Sequence, residues 1–158
     1  MNTIAASGRS PQSGSILLVE DDDGDVLLMK KALQNGRVFN TLDVVADGVE
    51  AMAYLRNEGI HADAPRPALI LLDLNMPRKD GREALREIKT DPALRSIPVI
   101  ALTTSEAEED IHRIYDLGGN SFIVKPAAFD RMVDLVRVLS AYWFDLVELA
   151  EPDAGGKP

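Results

Sequence analysis

Residues 69–72 (Leu-Ile-Leu-Leu) form an unbroken aliphatic run that ends in Asp73, and turn-forming residues follow at once in Asn75, Pro77, Asp80 and Gly81. A short apolar run bounded by turn signals suits a strand covered on both faces, as in the middle of a parallel sheet. A charge inside such a strand is costly, so Asp73 belongs at its C-terminal edge, facing solvent or a cation. That edge is where open α/β sheets bind their ligands. Asp73 is therefore the expected chemical centre of the chain.

The same design recurs along the sequence. Residues 15–19 (Ser-Ile-Leu-Leu-Val), 41–45, 97–103 and 121–124 read as four further strands. Apolar residues at helical spacing lie between them: Val26, Met29 and Leu33, then Val49, Met52 and Ala53, then Ala84, Leu85 and Ile88. These helices stop at Asn35-Gly36, near Gly59 and at Pro92. Ser105-Glu-Ala-Glu108 matches a capping box that opens a fourth helix through Leu117, ended by Gly118-Gly119. Residues 60–67 carry two prolines and read as an irregular loop. A long last helix covers 129–149. Strand and helix thus alternate five times, which predicts a single α/β domain over 15–149. Its core is a doubly wound five-stranded parallel sheet with five helices and right-handed crossovers. Residues 1–14 and 150–158, rich in small and polar residues, are expected to be disordered tails.

A net charge of -9 leaves no concentrated lysine and arginine footprint for nucleic acid, but it suits a host for a divalent cation. No apolar stretch approaches the roughly 20 residues needed to span a bilayer. The first residues lack the basic start and apolar block of a secretory signal. The chain has no cysteine, hence no disulfide, thiolate metal site or cysteine nucleophile. The expected location is the cytoplasm.

Parallel strands present all their C-terminal ends on one edge, and here those ends carry Glu20 and Asp21, Asp73, Thr103 and Lys125. Two carboxylates about 4 Å apart repel by roughly 4 kcal/mol at an effective dielectric near 20. Three would be driven to protonate unless a cation joined them. Mg²⁺ is the natural candidate, because it takes hard oxygen ligands and keeps waters for a phosphate. Lys125 adds a second positive group and Thr103 a hydroxyl donor. The set suits attack by an aspartate on a phosphoryl group, giving an acyl phosphate. Metal and lysine would offset the charge on the transferring oxygens.

The residues also carry a resemblance. Over roughly 15–140 the chain resembles the receiver domain of bacterial two-component response regulators, which has a flavodoxin-like fold. Ile-Leu-Leu-Val-Glu20-Asp21-Asp22 is similar to the family's first strand, and Leu-Leu-Asp73-Leu-Asn-Met-Pro77 with Asp80-Gly81 to its phosphoacceptor motif. Ile97-Pro-Val-Ile-Ala-Leu-Thr103 and Phe122-Ile-Val-Lys125-Pro126 match the remaining signatures, in the right order. The resemblance implies that Asp73 accepts a phosphoryl group from the histidine of a sensor kinase. It implies Mg²⁺ held by Asp21, Asp73 and the Asn75 main-chain carbonyl, with Glu20 acting through water. Thr103 and Lys125 would bind phosphoryl oxygens, Phe122 would be the aromatic switch that follows Thr103, and the Lys125–Pro126 bond would be cis. Asp80-Gly-Arg-Glu-Ala-Leu, Ala51-Met-Ala-Tyr-Leu-Arg and a tyrosine-tryptophan last helix look most like single-domain regulators paired with phytochrome kinases. With no effector region after residue 150, output is expected by protein contact or phosphorelay, without enzymatic turnover beyond self-phosphorylation and self-dephosphorylation.

Simpler readings stand beside these. Asp22, Asp23 and Asp25 are expected as helix N-terminal acids, leaving Glu20 and Asp21 for the site. A calcium loop begun at Asp21 fails, because its glycine would fall at Val26 and its closing glutamate at Ala32. His61 and His112 are expected to be solvated. The last helix, about 31 Å over its 21 residues, outruns a sheet of short strands. Val138, Leu139, Tyr142, Trp143, Leu146 and Val147 extend its apolar stripe, and the expected use is a homodimer face rather than a fold-back onto the domain. Two other functions fit less well. A haloacid-dehalogenase-like phosphohydrolase wants Asp-x-Asp, where this chain has Asn75. A pseudo-receiver scaffold would not need the full set of acids, threonine and lysine.

Overall fold

The computed structural model describes residues 14–74, 81–103 and 108–146, apart from the side chains of 108–110 and 113. Strands β1 (Ile16–Val19), β2 (Leu42–Val45), β3 (Leu69–Asp73), β4 (Val99–Thr103) and β5 (Ser121–Val124) alternate with five helices. These are α1 (Asp23–Asn35), α2 (Gly48–Leu55), α3 (Gly81–Thr90), α4 (Glu108–Asp116) and α5 (Phe129–Ser140). The strands form one parallel sheet in the order β2-β1-β3-β4-β5, so the chain winds outward in both directions from β1 and β3. Register pairs Val19 with Leu72, Asp73 with Leu102, and Thr103 with Val124, which lines up the strand ends.

Alternation along each strand divides the core into two layers. Leu17, Val19, Ile70, Leu72, Val99 and Ala101 face α2, α3 and α4, packing on Met52, Leu55, Leu85, Ile88 and Ile114. Ile16, Leu18, Leu69, Leu71, Ile100 and Leu102 face α1 and α5, packing on Met29, Leu33, Met132 and Val136. This two-sided burial is why the central strands carry continuous aliphatic runs in place of polar alternation.

Local chemistry sets the ends of the elements. Asp22 caps α1, its carboxylate accepting from the N–H groups of Gly24 at 2.8 Å and Asp25 at 3.2 Å. Asp47 caps α2 through the Glu50 N–H at 2.9 Å. Gly118, at φ +99°, ends α4 in a conformation that L side chains rarely adopt. Gly81 opens α3 so close to β3 that a Cβ would lie 2.4 Å from the Asp73 carbonyl oxygen. Only glycine lets the helix start there.

Three expectations need amending. Residues before the two prolines form one 3-10 turn, Gly59–His61, where the sequence reads as loop. His61 is half-buried and its ring leans on Tyr54 at a centroid distance of 5.4 Å, whereas His112 is exposed as expected. The last helix is α-helical only to Ser140 and continues as a π-helical turn, Ala141–Leu146. The widened turn keeps Met132, Val136, Ser140 and Phe144 in line on the sheet side, where all four are buried. The expected dimer stripe therefore splits. Leu139 and Trp143 are half-buried on their own domain, while Val138, Tyr142 and Leu146 are 65%, 48% and 53% exposed. Residues 1–13 of the expected N-terminal tail, Val147 with the rest of the expected last helix to 149, the expected C-terminal tail 150–158, and Ser105 to Ala107 of the capping box lie outside the described residues.

Candidate phosphoryl and metal site

At the C-terminal edge of the sheet, β1 delivers Glu20, β3 delivers Asp73 and β4 delivers Thr103, all buried. Asp21, one residue further, is exposed. One carboxylate oxygen from each of Glu20, Asp21 and Asp73 lies within 4.8 Å of the others, a spacing that one cation could bridge. The donor set is all hard oxygen, as Mg²⁺ requires. The expected fourth ligand, the Asn75 carbonyl, falls outside the described residues.

Lys125, just past β5, reaches back over the edge. Its Nζ donates to Glu20 Oε1 at 2.8 Å and to Asp25 Oδ2 at 3.1 Å, and stands 3.7 Å from Asp73 Oδ2. Burial pushes the Glu20 carboxyl up to about 7, helped by the adjacent Asp73 carboxylate and opposed by Lys125. Burial would lower the Lys125 ammonium, but its hydrogen bond and charge interaction with Glu20 outweigh this and, with Asp73 and Asp25, raise it to about 12. The ammonium is thus fixed in its charged form, while the carboxylates carry an excess of negative charge that a second cation would relieve.

Asp25 is the residue that sequence reasoning placed elsewhere. It does sit in the first turn of α1, as a dipole-favoured acid should. Side chains there lean toward the helix N-terminus, and in this fold that end opens onto the strand edge. The available signal was its position four residues beyond Asp21. Phe122 lies on β5 opposite Ala101, two residues before Thr103, and packs half-buried against the layer under α2–α4. The Lys125–Pro126 bond, expected cis, is trans, the isomer an X–Pro bond favours by about 0.5–1 kcal/mol. The conventional isomer already brings Lys125 to Glu20.

The family model for the response regulator receiver domain matches residues 16–137. The chain is a response regulator receiver domain. This receiver is 42% identical over 134 residues to response regulator Rcp1 of Synechocystis sp., an alignment covering 85% of this chain and 91% of that protein. The phosphorylated cyanobacterial phytochrome response regulator RcpA superposes on it with a TM-score of 0.82 at 48% identity, covering 87% of this chain and 99% of the other. A Mn(2+)-bound form of Rcp1 gives a TM-score of 0.80 at 40% identity, with the same coverage. Membership in this family sets aside the phosphohydrolase alternative. Among the described residues, no helix is long and apolar enough to cross a membrane.

Proposed function

We propose that this receiver takes a phosphoryl group from the phosphohistidine of a sensor kinase onto Asp73. The observation that carries the reading is Lys125, held by Glu20 at 2.8 Å and poised 3.7 Å from Asp73 at the sheet edge. Asp73 attacks phosphorus, the N–P bond of the donor breaks, and the imidazole leaves with the bonding pair. Lys125 is already charged and stands 3.7 Å from Asp73, so a short move brings it to the oxygens of the transferred group, whose charge it offsets. Thr103, at the end of the neighbouring strand, offers its hydroxyl to the same oxygens, and Phe122 follows its movement. Glu20, Asp21 and Asp73 would hold Mg²⁺, which offsets their charge and that of the phosphoryl group. Self-phosphorylation from small phosphodonors and self-dephosphorylation belong to the same chemistry. The likeness to the phytochrome response regulator RcpA favours a phytochrome-type kinase as donor, and the proposed location of this chain is the cytoplasm.

Transfer from a ³²P-labelled phytochrome-type kinase to the wild type, with none to Asp73→Asn, is the expected result. Label that persists on Asp73→Asn would defeat the assignment of the acceptor.

Self-association through the last helix is the second part of the reading. Val138, Tyr142 and Leu146 remain outside the core and form an exposed apolar ridge beyond the sheet. Truncation at Ser140 is a poor test, since it also removes the buried Phe144. Sedimentation of Tyr142→Glu/Leu146→Glu keeps that anchor. A dimer in the wild type that dissociates in the variant is expected; equal sedimentation of the two rejects the interface.

A further inference from the structure

Lys125 has three N–H groups and three carboxylate neighbours. Its two short contacts go to Glu20 and Asp25, and Asp73 at 3.7 Å is beyond hydrogen-bonding distance. Two of the three N–H groups are thus engaged, and drawing the ammonium across the 3.7 Å gap toward a group on Asp73 lengthens one of these two contacts. Glu20 is deeply buried, with 3% of its side chain exposed, and its contact is the shorter. Asp25 is 45% exposed and lies on the solvent side. A small cavity of about 40 Å³, lined by Glu20, Asp25, Lys125 and Pro126 together with core residues such as Met29 and Met132, lies beside the lysine, so its side chain is not tightly enclosed.

We propose that Asp25 is the resting-state partner that Lys125 exchanges for the phosphoryl oxygens. Asp25 touches neither Asp73 nor the donor in this scheme; it is a positioning residue that acts through the lysine. Its carboxylate holds the ammonium at the mouth of the site while Asp73 carries no phosphoryl group, and competes with the incoming oxygens when the group arrives. The scheme rests on Asp73 being the acceptor. It goes beyond that reading by giving the first helix a direct hand in the rate of phosphoryl uptake.

The test is the rate of adduct formation with acetyl phosphate at saturating Mg²⁺, followed by intact mass, for the wild type, Asp25→Asn, Asp25→Glu and Asp23→Asn. Asp23→Asn removes the same charge from the same helical turn without a contact to Lys125 among the described residues, so it reports any general effect of charge or helix stability. Asp25→Asn is expected to take up the group about threefold faster, the size set by a half-exposed ion pair. Asp23→Asn should stay near the wild-type rate, and Asp25→Glu, which can still reach the lysine, should give back most of the difference. Equal rates for Asp25→Asn and the wild type, or equal acceleration by Asp23→Asn, overturn the role of Asp25 alone. A wild type that forms no adduct overturns the acceptor reading and this inference with it.

Discussion

Glu20→Gln should stabilise the metal-free protein at pH 8 and leave it unchanged near pH 4.5. Glu20 is 4% exposed and lies against Asp73, and the folded chain lifts its carboxyl from 4.5 to about 7. The folded state therefore binds a proton that the unfolded state has already released, and stability is lost as pH rises from 4.5 through 7. A rise of this size corresponds to roughly 3 kcal/mol at 1.36 kcal/mol per pH unit. Glutamine mimics the protonated acid and carries no such penalty. It forgoes the charged contact with Lys125, but that contact already pulls against the rise, so the difference keeps its sign. In a domain of this length the gain at pH 8 is worth about 6–12 °C in melting temperature. Urea unfolding of both proteins in EDTA, from pH 4.5 to 8.5, measures it directly. A difference that stays flat across this range, or a glutamine variant less stable at pH 8, would refute the account of Glu20.

Added Mg²⁺ should stabilise the wild type more at pH 8 than at pH 5.5, because a cation binds the ionised form of Glu20; calorimetric titration at the two pH values checks this. Lys125→Met leaves the buried Glu20 and Asp73 without their ammonium, and should cost about 3 kcal/mol at pH 8 but much less at pH 5, where Glu20 holds its proton. Paired urea melts would show the difference, and a cost independent of pH would contradict it. Gly81→Ala forces a methyl group into the β3 backbone at Asp73 and Leu74, so it should cost about 1–3 kcal/mol and slow phosphoryl uptake together. Unchanged stability would show that α3 can draw back from the strand.

What the sequence made legible follows from where its strong signals lie. The aliphatic runs at Leu69–Asp73 and Val99–Thr103 are continuous because both faces are covered, and each ends in a residue of the candidate site. Parallel order then brings Glu20, Asp73, Thr103 and Lys125 to one edge without further assumption. Asp25 was hidden because its position already had a sufficient local reason: an acid in the first turn favours the helix dipole. Its contact with Lys125 spans 100 positions and depends on how α1 packs beside α5. The last helix misled for a different reason. Helical spacing assumes a constant turn, and the π-helical turn at Ala141–Leu146 moves Phe144 into the core while Tyr142 and Leu146 stay outside. No periodicity announces that change.

The central claim is that Asp73 is a phosphoryl acceptor served by the cation site and Lys125. Intact mass after treatment with acetyl phosphate and Mg²⁺ tests it most directly, for the wild type and for Asp73→Asn. A single phosphoryl adduct on the wild type, absent from Asp73→Asn and abolished by EDTA, is the predicted result. An adduct of equal yield on Asp73→Asn, or none on the wild type even from a phosphorylated kinase, would contradict it.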